Sequence, residues 1–231
     1  MPTCSAGWRL PSSHVGPDGL RPSYDRPLGG DREDDAIDDD LLWYVSYGSN
    51  LSAARFGCYL HGGTPDGGRR RMVGCRDGRP ARAWRAVEVE HALHFGGPSP
   101  TWGGGPAFLD TTRSGRVLAR AWLIARQQFD DLVAQENHLD VGTVTVDDDV
   151  LANGGVAIAG GSYGRLVRLP DIEAVPAVTF TYLQRPAPRA PAPAYLALLR
   201  RGLAEIGHAR EAVEAYLSPW SAATSPEPGA P

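Results

Sequence analysis

Two short stretches of this chain carry most of its potential for chemistry. One is a lone glutamate, Glu136 in Ala134-Gln135-Glu136-Asn137, and the other is Tyr44-Val45-Ser46-Tyr47-Gly48-Ser49-Asn50-Leu51 far upstream. The upstream run is aromatic and β-branched until it breaks into Gly-Ser-Asn, the composition of a strand feeding a tight turn. Backbone N–H groups in such a turn can hold an anion. A carboxylate facing it can take a proton from one nitrogen and hand it to another, first as base and then as acid. The pair suggests an enzyme that binds a small acidic substrate and works with a single carboxylate.

Other chemistries fit less well. Ser49 follows a glycine, but the Gly-x-Ser-x-Gly elbow of a serine nucleophile is missing. His91 and His94 fall within a run that reads as a strand, where positions three apart point to opposite faces, so they are not expected to share a metal. The cysteines Cys4, Cys58 and Cys75 have no C-x-x-C spacing, which argues for reduced thiols over a disulfide framework or a zinc site. Gly103-Gly104-Gly105 looks like a phosphate loop only at first sight. Every basic side chain is arginine, so neither a Walker lysine nor a Schiff-base lysine exists, and turn flexibility or close approach to a substrate explains the glycines better.

The elements that position these residues belong to one domain of moderate size. The chain has 231 residues and a net charge of −4, with no run approaching the ~20 apolar residues of a membrane helix. No signal-peptide pattern opens it, and the expected location is the cytoplasm. Residues 1–40 are rich in Gly, Pro, Ser and Asp and read as a disordered acidic leader. Seven acids face only Arg32 between Asp31 and Asp40, while seven arginines face only Asp77 between Arg69 and Arg85. The leader could therefore lie over the arginines. Those arginines lack interleaved stacking aromatics and the whole chain is acidic, so nucleic-acid binding is not expected. Residues 41–217 form the candidate catalytic domain, and 218–231 read as a disordered tail.

Strand patterns cover Leu42 to Tyr47, Trp84 to Phe95, Pro106 to Asp110, Arg116 to Ala125, Thr143 to Val146, Gly164 to Leu169 and Val178 to Leu183. The stretch Arg116 to Ala125 is apolar on both faces and should be fully buried. Phe129, Leu132 and Val133 mark a short amphipathic helix over Gln127 to Gln135 that leaves Glu136 at its carboxyl end. The prolines from Arg185 to Pro193 predict an extended surface connector. A helix then resumes with the stripe Tyr195, Leu198, Leu199, Leu203 and Ile206, and a last helical segment spans Arg210 to Leu217.

The run from Tyr44 to Leu51 resembles the Y-G-S-N-L signature of the γ-glutamylcyclotransferase family. Phe95-Gly96 with Thr101-Trp102-Gly103-Gly104-Gly105 is similar to that family's F-G and T-W-x-G-G passage. Gln135-Glu136 matches its catalytic glutamate, and Pro191-Ala192-Pro193-Ala194-Tyr195 its P-x-P-x-Y. Four motifs in order cover about three quarters of the chain, although the arginines around Arg69 to Arg71 depart from the pattern. The resemblance implies an α+β fold, a small mixed β-barrel with flanking helices, and release of 5-oxoproline and a free amine from a γ-glutamyl amine, with no cofactor and no metal. It implies Glu136 as the catalytic residue and Tyr44, Val45, Ser46, Tyr47, Gly48, Ser49, Asn50 and Tyr195 as substrate-binding residues. The alternatives are a tailoring enzyme that removes a γ-glutamyl unit from a natural product, or a non-catalytic binding module.

Overall fold

The computed structural model describes residues 40–65, 71–99 and 101–221. Its centre is an open six-stranded mixed sheet. In chain order the strands are β1 (Leu41–Ser46), β2 (Ala83–Val89), β3 (Ala92–Phe95), β4 (Ala107–Asp110), β5 (Val117–Ala125), β6 (Gly155–Val156), β7 (Arg165–Ile172) and β8 (Val175–Thr181). The sheet runs β2-β5-β1-β8-β7-β6, and β3 pairs with β4 outside it. Only the β1–β8 contact is parallel. The expected α+β class and flanking helices are present, whereas the expected barrel is not: β2 and β6 are free edges, and the strands that would bridge them, β3 and β4, pair with each other.

The sheet is covered on both faces because its central strands are apolar on both. In β1, Trp43 and Val45 alternate with Leu42 and Tyr44, and every residue of β5 is buried, its one charged member, Arg120, being paired with Glu205. Trp43, Val45, Ala119, Ala121 and Leu123 form one core with Leu196, Leu199, Leu203, Val213 and Leu217. These last residues come from α4 (Pro193–Glu205) and α5 (Arg210–Ser221). Leu42, Tyr44, Trp122 and Ile124 form a second core with α1 (Ala53–His61) and α2 (Arg126–Glu136). A short helix α3 (Asp148–Asn153) lies on the surface, its start capped by the Asp147 carboxylate accepting from the Asp149 N–H.

Several sequence expectations need correction. The single strand expected over Trp84 to Phe95 breaks at a turn closed by the bond from the His91 N–H to the Val89 carbonyl, and its second half leaves the main sheet. Thr143 to Val146 is a loop. Its alternation is real, with Val144 and Val146 buried, but its backbone donors pair with no strand: the Thr143 N–H donates to the Asp140 carbonyl and the Val146 N–H to the Asp130 carboxylate of α2. Helix α1 was not expected. Helix α5 continues to Ser221, so residues 218–221 are not a disordered tail. The leader and Arg69 and Arg70 lie outside the described residues, apart from Asp40.

Candidate functional site

Glu136 ends α2, and the turn after β1 is brought against it. Strand β1 delivers Gly48, after which Ser49–Leu51 coil into one 3-10 turn closed by the Leu51 N–H donating to the Gly48 carbonyl at 3.0 Å. The first N–H groups of such a turn have no acceptor within it. The turn is clamped from the sheet and from α4. Trp122 Nε1 donates to the Asn50 carbonyl at 3.0 Å and Arg120 Nη1 to the Leu51 carbonyl at 3.1 Å. Glu205, at the end of α4, accepts from the Ala53 N–H at 2.7 Å and pairs with Arg120 at 3.0 Å. Gly202 permits this contact, because a Cβ there would lie 2.5 Å from that of Leu51.

The meeting point is a Glu136–Asn50 hydrogen bond. Asn50 Nδ2 donates to Glu136 Oε1 at 2.8 Å and to Tyr44 Oη at 3.2 Å. An ionised carboxylate only accepts, so the amide nitrogen must face it, which leaves Asn50 Oδ1 buried with no partner. Glu136 is partly buried and opens on a cleft of about 530 Å³. Behind it is a recess of about 30 Å³ lined by Tyr44, Tyr47, Gly48, Asn50, Phe180 and others. Ser49, Glu136, Tyr163 and Tyr195 line both cavities.

Five tyrosines surround the carboxylate. Burial, with the charge of Glu136 among the further causes, holds the hydroxyls of Tyr44, Tyr47, Tyr59 and Tyr163 above their ordinary value. The same causes push Tyr195 up to about 12. All five are therefore neutral donors. Tyr47 donates to the Phe180 carbonyl at 2.7 Å and Tyr163 to the Ala107 carbonyl at 3.0 Å, whereas the Tyr59 hydroxyl accepts from Arg55 Nη2 at 3.1 Å and lines the cleft beside Glu136. The hydroxyl of Tyr195 accepts from the N–H groups of Ala107, at 3.3 Å, and Ser49. It lies 2.8 Å from where a Cβ on Gly48 would stand, so glycine is needed there for space.

Among the residues expected from sequence, Tyr44, Tyr47, Gly48, Ser49, Asn50, Glu136 and Tyr195 come together around these two cavities. Val45 and Ser46 do not. Val45 points to the opposite face of the sheet from Tyr44, and the Ser46 hydroxyl donates to the Arg120 carbonyl at 3.1 Å inside it. Gly104 and Gly105 approach the connector and not the cleft: a Cβ on either would lie 2.3 or 2.4 Å from the backbone of Ala192 or Arg189. His94 bonds the Pro186 carbonyl at 2.9 Å, in the same connector. Among the described residues no group of three His, Cys, Asp or Glu side chains is placed to share a metal ion, and no helix is long and apolar enough to cross a membrane.

Sequence reasoning missed Arg55, Tyr59 and Tyr163. A signal existed for the first two: Phe56 and Leu60 are four apart, as are Arg55 and Tyr59, so one stripe of a helix would face the core and its neighbour the cleft. Tyr163 sits on the β6–β7 loop, held by its N–H donating to Asn137 Oδ1 at 3.0 Å.

The crystal structure of a γ-glutamyl cyclotransferase superposes with a TM-score of 0.50 at 18% identity, over 83% of this chain and 92% of that one. The fold is γ-glutamylcyclotransferase-like. The crystal structure of the uncharacterized protein loc79017 from Homo sapiens shares this fold, with a TM-score of 0.50 at 17% identity over 84% of this chain and 93% of that one. In sequence, the chain is similar to histone deacetylase 5 of Arabidopsis thaliana, 33% identical over 198 residues. The match covers 76% of this chain but 30% of that protein, so the chain spans under a third of the curated relative it matches. No protein-family model matches the chain.

Proposed function

We propose that the protein is a γ-glutamyl amine cyclotransferase with Glu136 as its general base and acid. The substrate's α-amine attacks its own γ-carbonyl carbon, forming the ring C–N bond. Glu136 takes the proton from the attacking nitrogen and delivers it to the departing nitrogen as the original C–N bond breaks. The products are 5-oxoproline and a free amine, and the nucleophile comes from the substrate. Holding one molecule in a folded, near-attack geometry can supply roughly 7–11 kcal/mol of such a barrier.

The observation that carries this reading is the Glu136 carboxylate fastened to Asn50 in the wall of a cleft that Tyr59 also lines. Asn50 Oδ1, unpartnered beside it, suits an N–H of the substrate amine. Tyr195 has its oxygen engaged by two N–H groups and suits the carbonyl oxygen as a donor, where negative charge develops. The test is to incubate the protein with a panel of γ-glutamyl amines and quantify 5-oxoproline. Glu136→Gln, which keeps the size and removes the base, should lower the rate at least about a hundredfold. Full activity in that variant would overturn the assignment.

A further inference from the structure

Arg55 is 6% exposed and lines the cleft, yet among the described residues no carboxylate lies within ion-pair distance of it. Its Nη2 donates to Tyr59 Oη at 3.1 Å, its Nε is enclosed without an acceptor, and its guanidinium stands 4.8 Å from the Tyr59 ring centre and 5.9 Å from that of Trp102. The other arginine buried among the described residues, Arg120, is paired with Glu205 at 3.0 Å. A buried guanidinium without an anion is costly, and a structure that keeps one in a cavity wall has a place for the anion of a ligand.

We propose that Arg55 is a specificity-determining residue that binds a carboxylate on the leaving amine of the substrate. This rests on the cyclotransferase reading and adds to it which amines are accepted. Arg55 and Tyr59 line the wide cleft and are absent from the walls of the recess, so the anion belongs on the open side of Glu136. The Tyr59 hydroxyl accepts from Arg55 and lines the same cleft as Glu136, so cation and carboxylate face one cavity. In an α-amino acid a single carbon separates the nitrogen from the carboxylate. A departing amino acid protonated by Glu136 thus presents its carboxylate to Arg55, with Trp102 flanking it.

The test uses γ-glutamylglycine and γ-glutamylmethylamine, which differ only by that carboxylate. Wild type should favour the glycine compound in kcat/KM by about tenfold or more, the range of a charged hydrogen-bonded pair. Arg55→Gln should erase the ratio and Arg55→Lys retain part of it. A wild type with no preference, or an Arg55→Gln variant that slows both substrates equally, would overturn the proposal. Calorimetric titration of both compounds into Glu136→Gln reads the same contact without turnover. Should neither compound yield 5-oxoproline, the cyclotransferase reading falls by itself. Carboxylate-dependent binding that Arg55→Gln abolishes would still uphold the Arg55 site, and equal or absent binding of both would sink it.

Discussion

The side-chain amide of Asn50 and the carboxylate of Glu136 meet at 2.8 Å although 86 positions separate them in the chain. One comes from the turn after the central strand β1 and the other from the last residue of α2, so the bond exists only when sheet and helix are in register. Asn50→Leu keeps the volume and removes both donors. It should cost about 1–3 kcal/mol of stability, because the buried Tyr44 hydroxyl and the Glu136 carboxylate each lose a partner. Urea unfolding reads this cost. The variant should also lose most 5-oxoproline release, and a fully active Asn50→Leu would refute the role given to the amide.

Gly48 makes a separate prediction. Its φ of −113° is open to any residue, so the constraint is the Tyr195 hydroxyl 2.8 Å from a would-be Cβ. Gly48→Ala should displace that hydroxyl and reduce turnover. Tyr195→Phe removes the obstructing oxygen, so the double variant should be no slower than Tyr195→Phe alone, a non-additive cycle. Additive losses would mean that the two residues act independently.

His208 predicts a pH dependence of stability. Burial, and then the Arg116 guanidinium, hold its imidazole below the ordinary value, with Glu88 opposing. Between the unfolded value of 6.5 and the lower folded value, the unfolded chain binds a proton that the folded chain refuses, so stability falls as pH drops below about 6.5. Thermal unfolding from pH 7 to 5 should show the decline, and His208→Gln should flatten it. Some slope should persist because burial also lowers His91. An unchanged slope in the variant would remove His208 from the explanation.

The parts of this fold legible in the sequence are those where burial and local pattern agree. Strand β5, apolar but for Arg120, is buried throughout, and the stripe from Tyr195 to Ile206 is the buried face of α4. Glu136 at the end of a short helix was visible for the same reason. Where tertiary contacts supplied the partners, pattern misled. Thr143 to Val146 alternates like a strand, but the Asp140 carbonyl and the Asp130 carboxylate take backbone donors from it. Helix α1 buries Arg55 beside Phe56, and a charged residue inside an apolar stripe hides the periodicity. The site divides similarly: its turn and carboxylate are read from residue types and the four-residue spacing of Arg55 and Tyr59 is a local signal, whereas Tyr163 arrives from a loop whose placement no local signal encodes.

The clamp formed by Gly202 and Glu205 has a consequence for synthesis. The carboxylate that receives the Ala53 N–H is translated 152 residues after it. During elongation the sheet and α1 can begin to form, but the loop bearing Asn50 lacks its anchor until residue 205 has left the ribosome. Assembly of the reaction centre thus waits for α4, and a nascent chain stalled before residue 205 would hold Glu136 without a finished cavity around it.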